Sequence, residues 1–196
     1  MPELKNTIIY LIGIPAVGKY TTARAISRRT GAKIVDNHLI NNPIFQVAHL
    51  DGTNRFPFPM GGWKYTGKIR RAVLGFIREF GQPDTSYIFT NVLRHDELRS
   101  FRAIELLAKH RKALFVPVWL KCKPSALKDR KVTPQRIRMT KEIDPATIPF
   151  WTREFREFDL DHPNRLDIDN TYSSPAQSAM LILDHVGRLQ EAAAQK

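Results

Sequence analysis

The chain has very little cysteine. Cys122 is the one cysteine among 196 residues, so a disulfide within the chain is excluded. A chain without disulfides is typical of a reducing compartment, and we therefore expect a cytoplasmic protein. Nothing beside Cys122 in the sequence suggests an activated thiol, which predicts a small buried or edge residue rather than a nucleophile.

Long apolar runs and metal-ligand clusters are also missing. The longest hydrophobic stretches are far shorter than the ~18 residues that a membrane-spanning helix needs. Residues 1–6 do not begin a signal peptide, because no apolar segment of the right length follows them. The six histidines show no paired ligand spacing. We therefore expect neither a membrane segment nor a zinc site.

Acidic residues are scarce relative to basic ones, at 19 against 31, which leaves a net charge of +12. Three explanations stay open: an anionic small molecule such as a nucleotide, a nucleic acid, or a basic surface without a specific partner. The basic residues are spread along the chain, with a local density over residues 121–141, and no base-stacking motif is visible. Nucleic acid is therefore the less favoured partner without being excluded, and a homodimer stays open.

The most informative feature is the segment GIPAVGKYT, from Gly13 to Thr21. It has the form G-x-x-x-x-G-K-x-T of a phosphate-binding (Walker A) loop, in which backbone amides surround phosphate oxygens. Lys19 would place its charge on the β- and γ-phosphates of ATP. The predicted nucleotide-binding residues are Gly13, Ala16, Val17, Gly18, Lys19, Tyr20 and Thr21.

The surroundings of this loop support the assignment. Ile8–Ile12 is an unbroken apolar run typical of a strand buried on both faces of a parallel sheet. Thr21–Thr30 follows as a predicted helix, and Gly31 is placed to end it. The helix N-terminus would add partial positive charge to the site. The alternative is a glycine-rich turn that binds nothing.

Apolar runs alternate with helical patterns along the whole chain. We predict strands at Ile8–Ile12, Ala32–Val35, Ser86–Phe89, Ala113–Leu120 and Arg165–Ile168. The alternation predicts one α/β domain over residues 1–196, with a parallel five-stranded sheet of the P-loop NTPase type and helices on both faces. Pro117 inside the fourth run weakens that strand or predicts a bulge.

The helices have clear sequence patterns. Two apolar stripes at helical spacing are Ile69, Val73, Ile77, Phe80 and Leu98, Phe101, Ile104, Leu107. Ser174-Pro175-Ala176-Gln177 combines a capping serine, proline at the first helical position and glutamine three residues after the cap. In that last helix we expect Met180, Leu183 and Val186 on the buried side. Two irregular insertions, over residues 41–62 and 123–163, interrupt the pattern, and such segments are usually functional.

The phosphate loop resembles that of adenylate kinase and related P-loop kinases, which share Pro at the position of Pro15 and Thr at that of Thr21. The resemblance implies that Thr21 takes the Mg²⁺ and phosphate role, because Tyr20 stands where Ser or Thr is usual. Tyr20 is then expected on an ordinary helix face. Ala16 replaces a more usual glycine, which predicts a stiffer loop. The resemblance also implies an acceptor-binding region at residues 41–80 and a lid at residues 123–163.

Asp36 directly follows the second predicted strand, at the edge of the sheet where ligands bind. This segment resembles that of shikimate kinase, gluconate kinase and chloramphenicol phosphotransferase, which implies that Asp36 orients or deprotonates the accepting hydroxyl. The alternative is an aspartate that caps the next helix. His38 would either contact the substrate or satisfy a local hydrogen bond.

Arg94 follows the third predicted strand, where the segment resembles the Asp-Gly-x-Pro-Arg stretch of adenylate kinase. The resemblance implies that Arg94 grips a phosphate on the acceptor, whereas the alternative is a solvated arginine. Thr90 stands where that family has aspartate, which argues against a true adenylate kinase. By the same resemblance, Arg130 and Arg136 are the preferred lid cations, ahead of Arg138 and Lys141, and residues 169–171 would meet the adenine.

These features together predict an enzyme that uses ATP and Mg²⁺ to phosphorylate a small molecule. The catalytic candidates are Lys19, Asp36, Arg130 and Arg136; the acceptor contacts are Asp36, His38 and Arg94; and the metal ligand is Thr21. One alternative is a polynucleotide 5′-hydroxyl kinase, which the charge of +12 motivates. Another is a nucleotide-binding regulatory module without transfer activity, which Tyr20 and Thr90 motivate.

Overall fold

A computed structural model describes residues 4–50, 52–53, 58–94, 97–157 and 160–195. Five strands form one parallel sheet in the order β2-β3-β1-β4-β5. They are β1 (Thr7–Ile12), β2 (Lys33–Val35), β3 (Tyr87–Asn91), β4 (Leu114–Lys121) and β5 (Leu166–Asp169). The helices are α1 (Lys19–Thr30), α2 (Asn37–Val47), α3 (Trp63–Phe80), α4 (Leu98–His110), α5 (Pro124–Lys131), α6 (Pro134–Arg138), α7 (Ile148–Glu157) and α8 (Pro175–Ala194).

The sheet is covered on both faces, as the sequence predicts. Ile9 and Leu11 of β1 point to one side, where they share a core with α1 and α8. Ile8, Tyr10 and Ile12 point to the other side, toward α3 and α4. Every residue of β1 is buried. A central parallel strand can bury both of its faces only if it is apolar throughout, which explains the unbroken run in the sequence.

Pro117 lies inside β4 without a bulge. The predicted strand is therefore present, and the bulge considered at Pro117 was wrong. The pairing with β1 runs in unbroken register through Tyr10 and Pro117 to Leu11 and Val118. β5 joins β4 only from Val118 onward. Among the described residues, the edge of β4 that faces β5 has no partner strand at Pro117. The missing N–H of the proline therefore costs no ladder hydrogen bond there.

The helix ends follow local chemistry. Gly31 ends α1 with a φ of 74°, a conformation that glycine adopts at little cost. Ser174 caps α8 through the predicted capping box, in which the Ser174 hydroxyl accepts from the Gln177 amide and the Gln177 side chain accepts from the Ser174 amide. The buried side of α8 was predicted incorrectly at Met180, which is 54% exposed, because the small residues Ser178 and Ala179 form the close contact instead.

Both insertions contain more helix than predicted. Residues 41–47 belong to α2, which continues through Pro43. Proline has a helical φ and sacrifices one backbone hydrogen bond there. The second insertion folds into α5, α6 and α7. The buried Lys131 at the end of α5 donates to Glu142, the Asp144 carbonyl and Thr147 in the segment between α6 and α7. Within the described ranges, no helix combines the length and the apolar character needed to cross a membrane.

Candidate active site

A cavity of about 530 Å³ opens beyond the carboxyl ends of β1, β2 and β3. Its volume is in the range of small-molecule sites, and its position is where α/β sheets bind ligands. The cavity is lined by the phosphate loop with α1, by α2 with the following loop and the start of α3, by the end of β3, by the lid, and by the turn after β5. These are parts that the sequence predicted to meet, although they are far apart along the chain.

The phosphate loop depends on its glycines. A β-carbon at Gly13 would lie 2.6 Å from the Leu120 carbonyl oxygen, so only glycine fits. Gly18 begins α1 with a φ of 104°. Ala16 has a φ of 69°, which costs a residue with a β-carbon about 1–2 kcal/mol. The loop therefore holds a left-handed residue where the related kinases more often use glycine.

Lys19 lies on the loop itself. Its Nζ donates hydrogen bonds to the carbonyls of Gly13 at 2.7 Å and Ile14 at 2.9 Å. Burial lowers the pKa of Lys19 well below its usual value, and the nearby charges of Lys141 and Arg136 lower it further, against the opposing effect of Asp36. Three cations thus crowd one cavity, and an anion such as a triphosphate would relieve their repulsion.

Thr21 has a geometry that suits a metal ligand. Its hydroxyl donates to the Gly18 carbonyl at 2.8 Å and lines the cavity. Because the proton is used in that bond, the oxygen lone pairs stay free for a cation. The Thr21 hydroxyl is a hard oxygen donor of the kind that Mg²⁺ accepts, beside phosphate oxygens and water.

Asp36 is held in a defined orientation. Its Oδ1 accepts from the Thr90 hydroxyl at 2.5 Å, and its Oδ2 lies 3.5 Å from Lys141 Nζ. The same Thr90 hydroxyl accepts from the Asn37 amide at 3.1 Å. Asp36 is 7% exposed and precedes α2, but its side chain makes no capping hydrogen bond. Asp36 therefore occupies the N-cap position of α2 without capping the helix through its side chain, and Thr90 is the partner that orients the carboxylate.

His38 both lines the cavity and makes a local hydrogen bond. Its Nδ1 lies 3.1 Å from Asn42 Oδ1. Burial, reinforced by the charge of Lys141, lowers the pKa of His38 to about 4 against the opposing pull of Asp36. The ring is therefore neutral at pH 7. Since an amide oxygen only accepts, Nδ1–H is the donor to Asn42, and Nε2 is left as an acceptor.

Tyr20 lies in the cavity rather than on an ordinary helix face, so that expectation was wrong. Lys141 Nζ sits 4.5 Å from the centre of the Tyr20 ring, within the range of a cation–π contact. Lys141 is 8% exposed, and the same ammonium also approaches Asp36. The unusual aromatic residue of the phosphate loop is therefore the docking surface for a lysine of the lid.

The two preferred lid arginines both line the cavity, but they are used differently. Arg130 donates to the carbonyls of Asn170 at 3.0 Å and Thr171 at 2.9 Å. Arg136 donates to the Glu142 carbonyl, and its Nε is buried without a hydrogen bond. Neither contacts Asp36, whereas Lys141 does. Nothing in the spacing of the basic residues distinguished Lys141 from Arg138, which is exposed outside the cavity.

Arg94 is not brought into the cavity. It is exposed, and its Nε lies 3.6 Å from Glu154 Oε2 on α7. The turn after β5 is at the site as expected, because Asn170 donates from Nδ2 to the Val17 carbonyl at 2.7 Å. Cys122 accepts from Arg130 at 3.4 Å, and burial raises the pKa of its thiol, which agrees with a residue that is not a nucleophile.

The chain matches no protein-family model and no curated protein in sequence. Its fold is similar to that of a gluconokinase from Sinorhizobium meliloti 1021, with a TM-score of 0.64 and 14% identity over 98% of both chains. A thymidylate kinase from Candida albicans gives a TM-score of 0.61 at 13% identity, covering 95% of this chain and 93% of that one. A sugar kinase from Janibacter sp. HTCC2649 gives 0.59 at 14% identity over 95% of both.

The TM-scores of 0.59–0.64 establish a common fold. At identities of 13–14%, the chemistry has to be argued from the site itself. The similarity to each of these three proteins extends over 95–98% of this chain rather than over one segment of it. The layout of strands, loop and lid agrees with the resemblance found in the phosphate loop. The chain therefore has the fold of the P-loop small-molecule kinases.

Proposed function

We propose that the protein transfers the γ-phosphoryl group of ATP to a hydroxyl group of a small-molecule acceptor, assisted by Mg²⁺. The observation that carries the proposal is that Lys19 of the phosphate loop and the oriented carboxylate of Asp36 line one cavity. Phosphoryl transfer needs little more than positioning, positive charge around the moving group and help with the acceptor proton. This cavity contains residues suited to each of these tasks.

Each residue has a defined part in the proposed reaction. The loop amides and Lys19 hold the β- and γ-phosphates. The acceptor oxygen attacks the γ-phosphorus, the bond to the bridging β,γ-oxygen breaks, ADP leaves, and Asp36 receives the acceptor proton. Lys141 and Arg136 neutralise charge on the transferring group. Bound Mg²⁺, which Thr21 would help to hold, would neutralise charge on the β- and γ-oxygens.

The oriented carboxylate favours this function over a regulatory nucleotide-binding module. Asp36 is buried and receives a hydrogen bond from Thr90, and burying a carboxylate in this way serves no evident purpose in nucleotide binding alone. A polynucleotide 5′-hydroxyl kinase would use the same chemistry on a larger acceptor. The cavity size favours a small acceptor instead.

The test separates nucleotide binding from transfer. ATP at 100 times its dissociation constant should stabilise the protein by about 2.7 kcal/mol, or roughly 5–11 °C in melting temperature. Lys19→Ala should abolish most of that shift, whereas Lys33→Ala, an exposed lysine of β2, should not. An unchanged ATP-induced shift in the melting temperature of Lys19→Ala would show that the phosphate loop does not bind ATP.

Asp36→Asn should spare ATP binding and reduce acceptor-dependent ADP release about 100-fold, the lower end of what a general base contributes. The asparagine keeps the size of the side chain and an oxygen for the Thr90 hydroxyl. Asp184→Asn, on the exposed side of α8, is the matched control. Normal turnover in Asp36→Asn would show that another group receives the proton of the acceptor hydroxyl. Loss of ATP binding would show that Asp36 binds the nucleotide or the metal instead.

A further inference from the structure

Three aromatic rings, from the end of α2, the loop after it and the start of α3, form a wall of the cavity. The aromatic wall consists of Phe45, Phe58 and Trp63, whose rings meet edge to face with centroids 4.7–5.9 Å apart. All three residues line the cavity, and Trp63 is 54% exposed. Large rings that pack against one another and still face an open cavity offer apolar surface for a ligand to cover.

Hydrogen-bond acceptors lie beside this wall. His38, Asn41 and Phe45 recur at spacings of three and four residues, so they share one face of α2. Asn41 is 3% exposed, lines the cavity, and has an Oδ1 that is buried without a hydrogen-bond partner. His38, whose Nδ1 faces the Asn42 amide oxygen and whose Nε2 is left over, and the carboxylate of Asp36 bring the acceptors at this end of the cavity to three. The groups that satisfy acceptors are donors such as hydroxyls.

The cationic residues that line the cavity come from its other walls. Lys19, Arg130, Arg136 and Lys141 line it from the phosphate loop and the lid. Of the described residues between 36 and 63 that line the cavity, none is cationic. Arg94, which the resemblance assigned to an acceptor phosphate, lies outside the lining and pairs with Glu154. Lys141, which reaches Asp36 from the lid, already pairs with that carboxylate. An anionic group placed against the aromatic wall would therefore meet rings and acceptor oxygens.

We propose that the acceptor is an uncharged hydroxyl compound that carries a flat aromatic or apolar ring. Its ring covers the aromatic wall, and its hydroxyls donate to Asp36, His38 and Asn41. This inference rests on the proposed phosphoryl transfer, because Asp36 is the group that receives the reacting hydroxyl. It adds a substrate class that the phosphate loop alone does not determine.

The test uses two matched sets of acceptors. Uridine and phenyl β-glucoside are neutral alcohols with a ring; ribose and glucose lack that ring; uridine 5′-monophosphate and glucose 6-phosphate add a charged group. Acceptor-dependent ADP release at saturating ATP and Mg²⁺ gives KM and kcat for each. We expect the neutral ring compounds to have a KM about tenfold or more below the other four, since ring contacts add to the area buried.

Variants of the wall link this preference to the residues. Trp63→Ala should raise KM for phenyl β-glucoside about tenfold and leave kcat and ATP affinity unchanged, whereas Trp63→Phe should restore most of the loss. Phe76→Ala is the control, because Phe76 is an equally exposed ring of α3 outside the cavity. Preferential turnover of the phosphorylated or ringless compounds, or no effect of Trp63→Ala, would overturn the inference.

The two proposals fail separately. If ATP binds in a Lys19-dependent way but neither neutral ring compound is turned over, the acceptor class is wrong and the nucleotide site stands. If ATP does not bind, the proposed transfer is wrong. Calorimetric titration of phenyl β-glucoside without ATP then still tests the wall, because binding that Trp63→Ala abolishes would support the ligand class and absence of binding would refute it.

Discussion

At the scale of single residues, the centre of the site is a chain of three side chains: Tyr20, Lys141 and Asp36. Lys141 stacks on the Tyr20 ring and faces the Asp36 carboxylate. Burial lowers the pKa of Lys141, and Asp36 is the main group that opposes this effect. The position of one ammonium thus depends on an aromatic ring from the phosphate loop and a carboxylate from the end of β2.

Replacing Tyr20 tests this arrangement. Tyr20→Phe keeps the ring and should keep kcat within about twofold, whereas Tyr20→Leu removes the cation–π contact of about 0.5–2 kcal/mol and should lower kcat about 2- to 30-fold. ATP affinity, measured by calorimetry, should be similar in both variants, because the loop amides remain. Equal kcat values for the phenylalanine and leucine variants would show that Tyr20 does not position Lys141.

His38 makes stability depend on pH. Its pKa is about 4 in the folded protein and about 6.5 in an unfolded chain, so the unfolded state binds more protons between these values. The free energy of unfolding therefore falls as the pH drops from 6.5 to 4, by about 2–3 kcal/mol from this group, and the loss is absent above pH 7.

Urea unfolding of the wild type and of His38→Gln at pH 7, 5.5 and 4.5 measures this effect. The variant should lose less stability on acidification than the wild type does. His110→Gln, which changes an exposed histidine of α4, should follow the wild-type curve. Parallel curves for the wild type and His38→Gln would mean that His38 is not buried in its neutral form.

At the scale of elements, the lid contacts the loop after α2 at Gly52. The Ile143 amide donates to the Gly52 carbonyl at 2.9 Å. Gly52 has a φ of 83°, and a β-carbon there would lie 2.3 Å from the Lys141 carbonyl oxygen. The backbone at Lys141 therefore packs against the loop after α2 so closely that only glycine fits at position 52.

Gly52→Ala should push this part of the lid away. We expect a loss of about 1–2 kcal/mol in stability from the left-handed backbone alone, and a further fall in kcat because Lys141 moves from Asp36. Gly61→Ala is a matched control, because a β-carbon there meets open space. Thermal unfolding and turnover are measured for both variants. Similar melting temperatures and kcat values for the two would show that the contact at Gly52 does not position the lid.

The elements that the sequence predicted well are those with strong local patterns. β1, the helix α1 that follows the glycine-rich loop and the Ser174 cap each depend on neighbouring residues, and each was confirmed. The lid was harder, because basic residues on short helices look alike until tertiary contacts separate them. Lys131 is buried to bind Glu142, Arg138 is exposed, and Lys141 reaches Asp36. These assignments depend on contacts between distant segments, which periodicity does not report.

At the scale of the whole molecule, the net charge of +12 is divided between the cavity and the surface. Four cations line the cavity, and exposed lysines and arginines are spread over β2, α3, α4 and α5. A charge that is spread in this way draws anions toward the protein but offers no continuous track for a phosphate backbone. The composition alone could not separate these two uses of positive charge.

Nucleic acid should consequently bind only weakly. A 20-nucleotide single strand at 150 mM salt should have a dissociation constant above about 10 μM, in the range of non-specific contact. Fluorescence anisotropy against salt concentration measures this, with ATP as the positive control for a folded site. Micromolar or tighter binding with a steep salt dependence would revive the polynucleotide kinase alternative.

The position of β1 in the sheet also governs when the protein can fold. β1 lies at the start of the chain and in the middle of the sheet, where Ile8 pairs with Tyr87 and Phe115. Asn170 later fastens the phosphate loop through Val17. During synthesis, β1 therefore stays unpaired until β3 and then β4 have emerged, and the contact from Asn170 to the phosphate loop forms only after β5 has been made. Such long-range pairing slows folding and leaves an apolar strand exposed in the meantime.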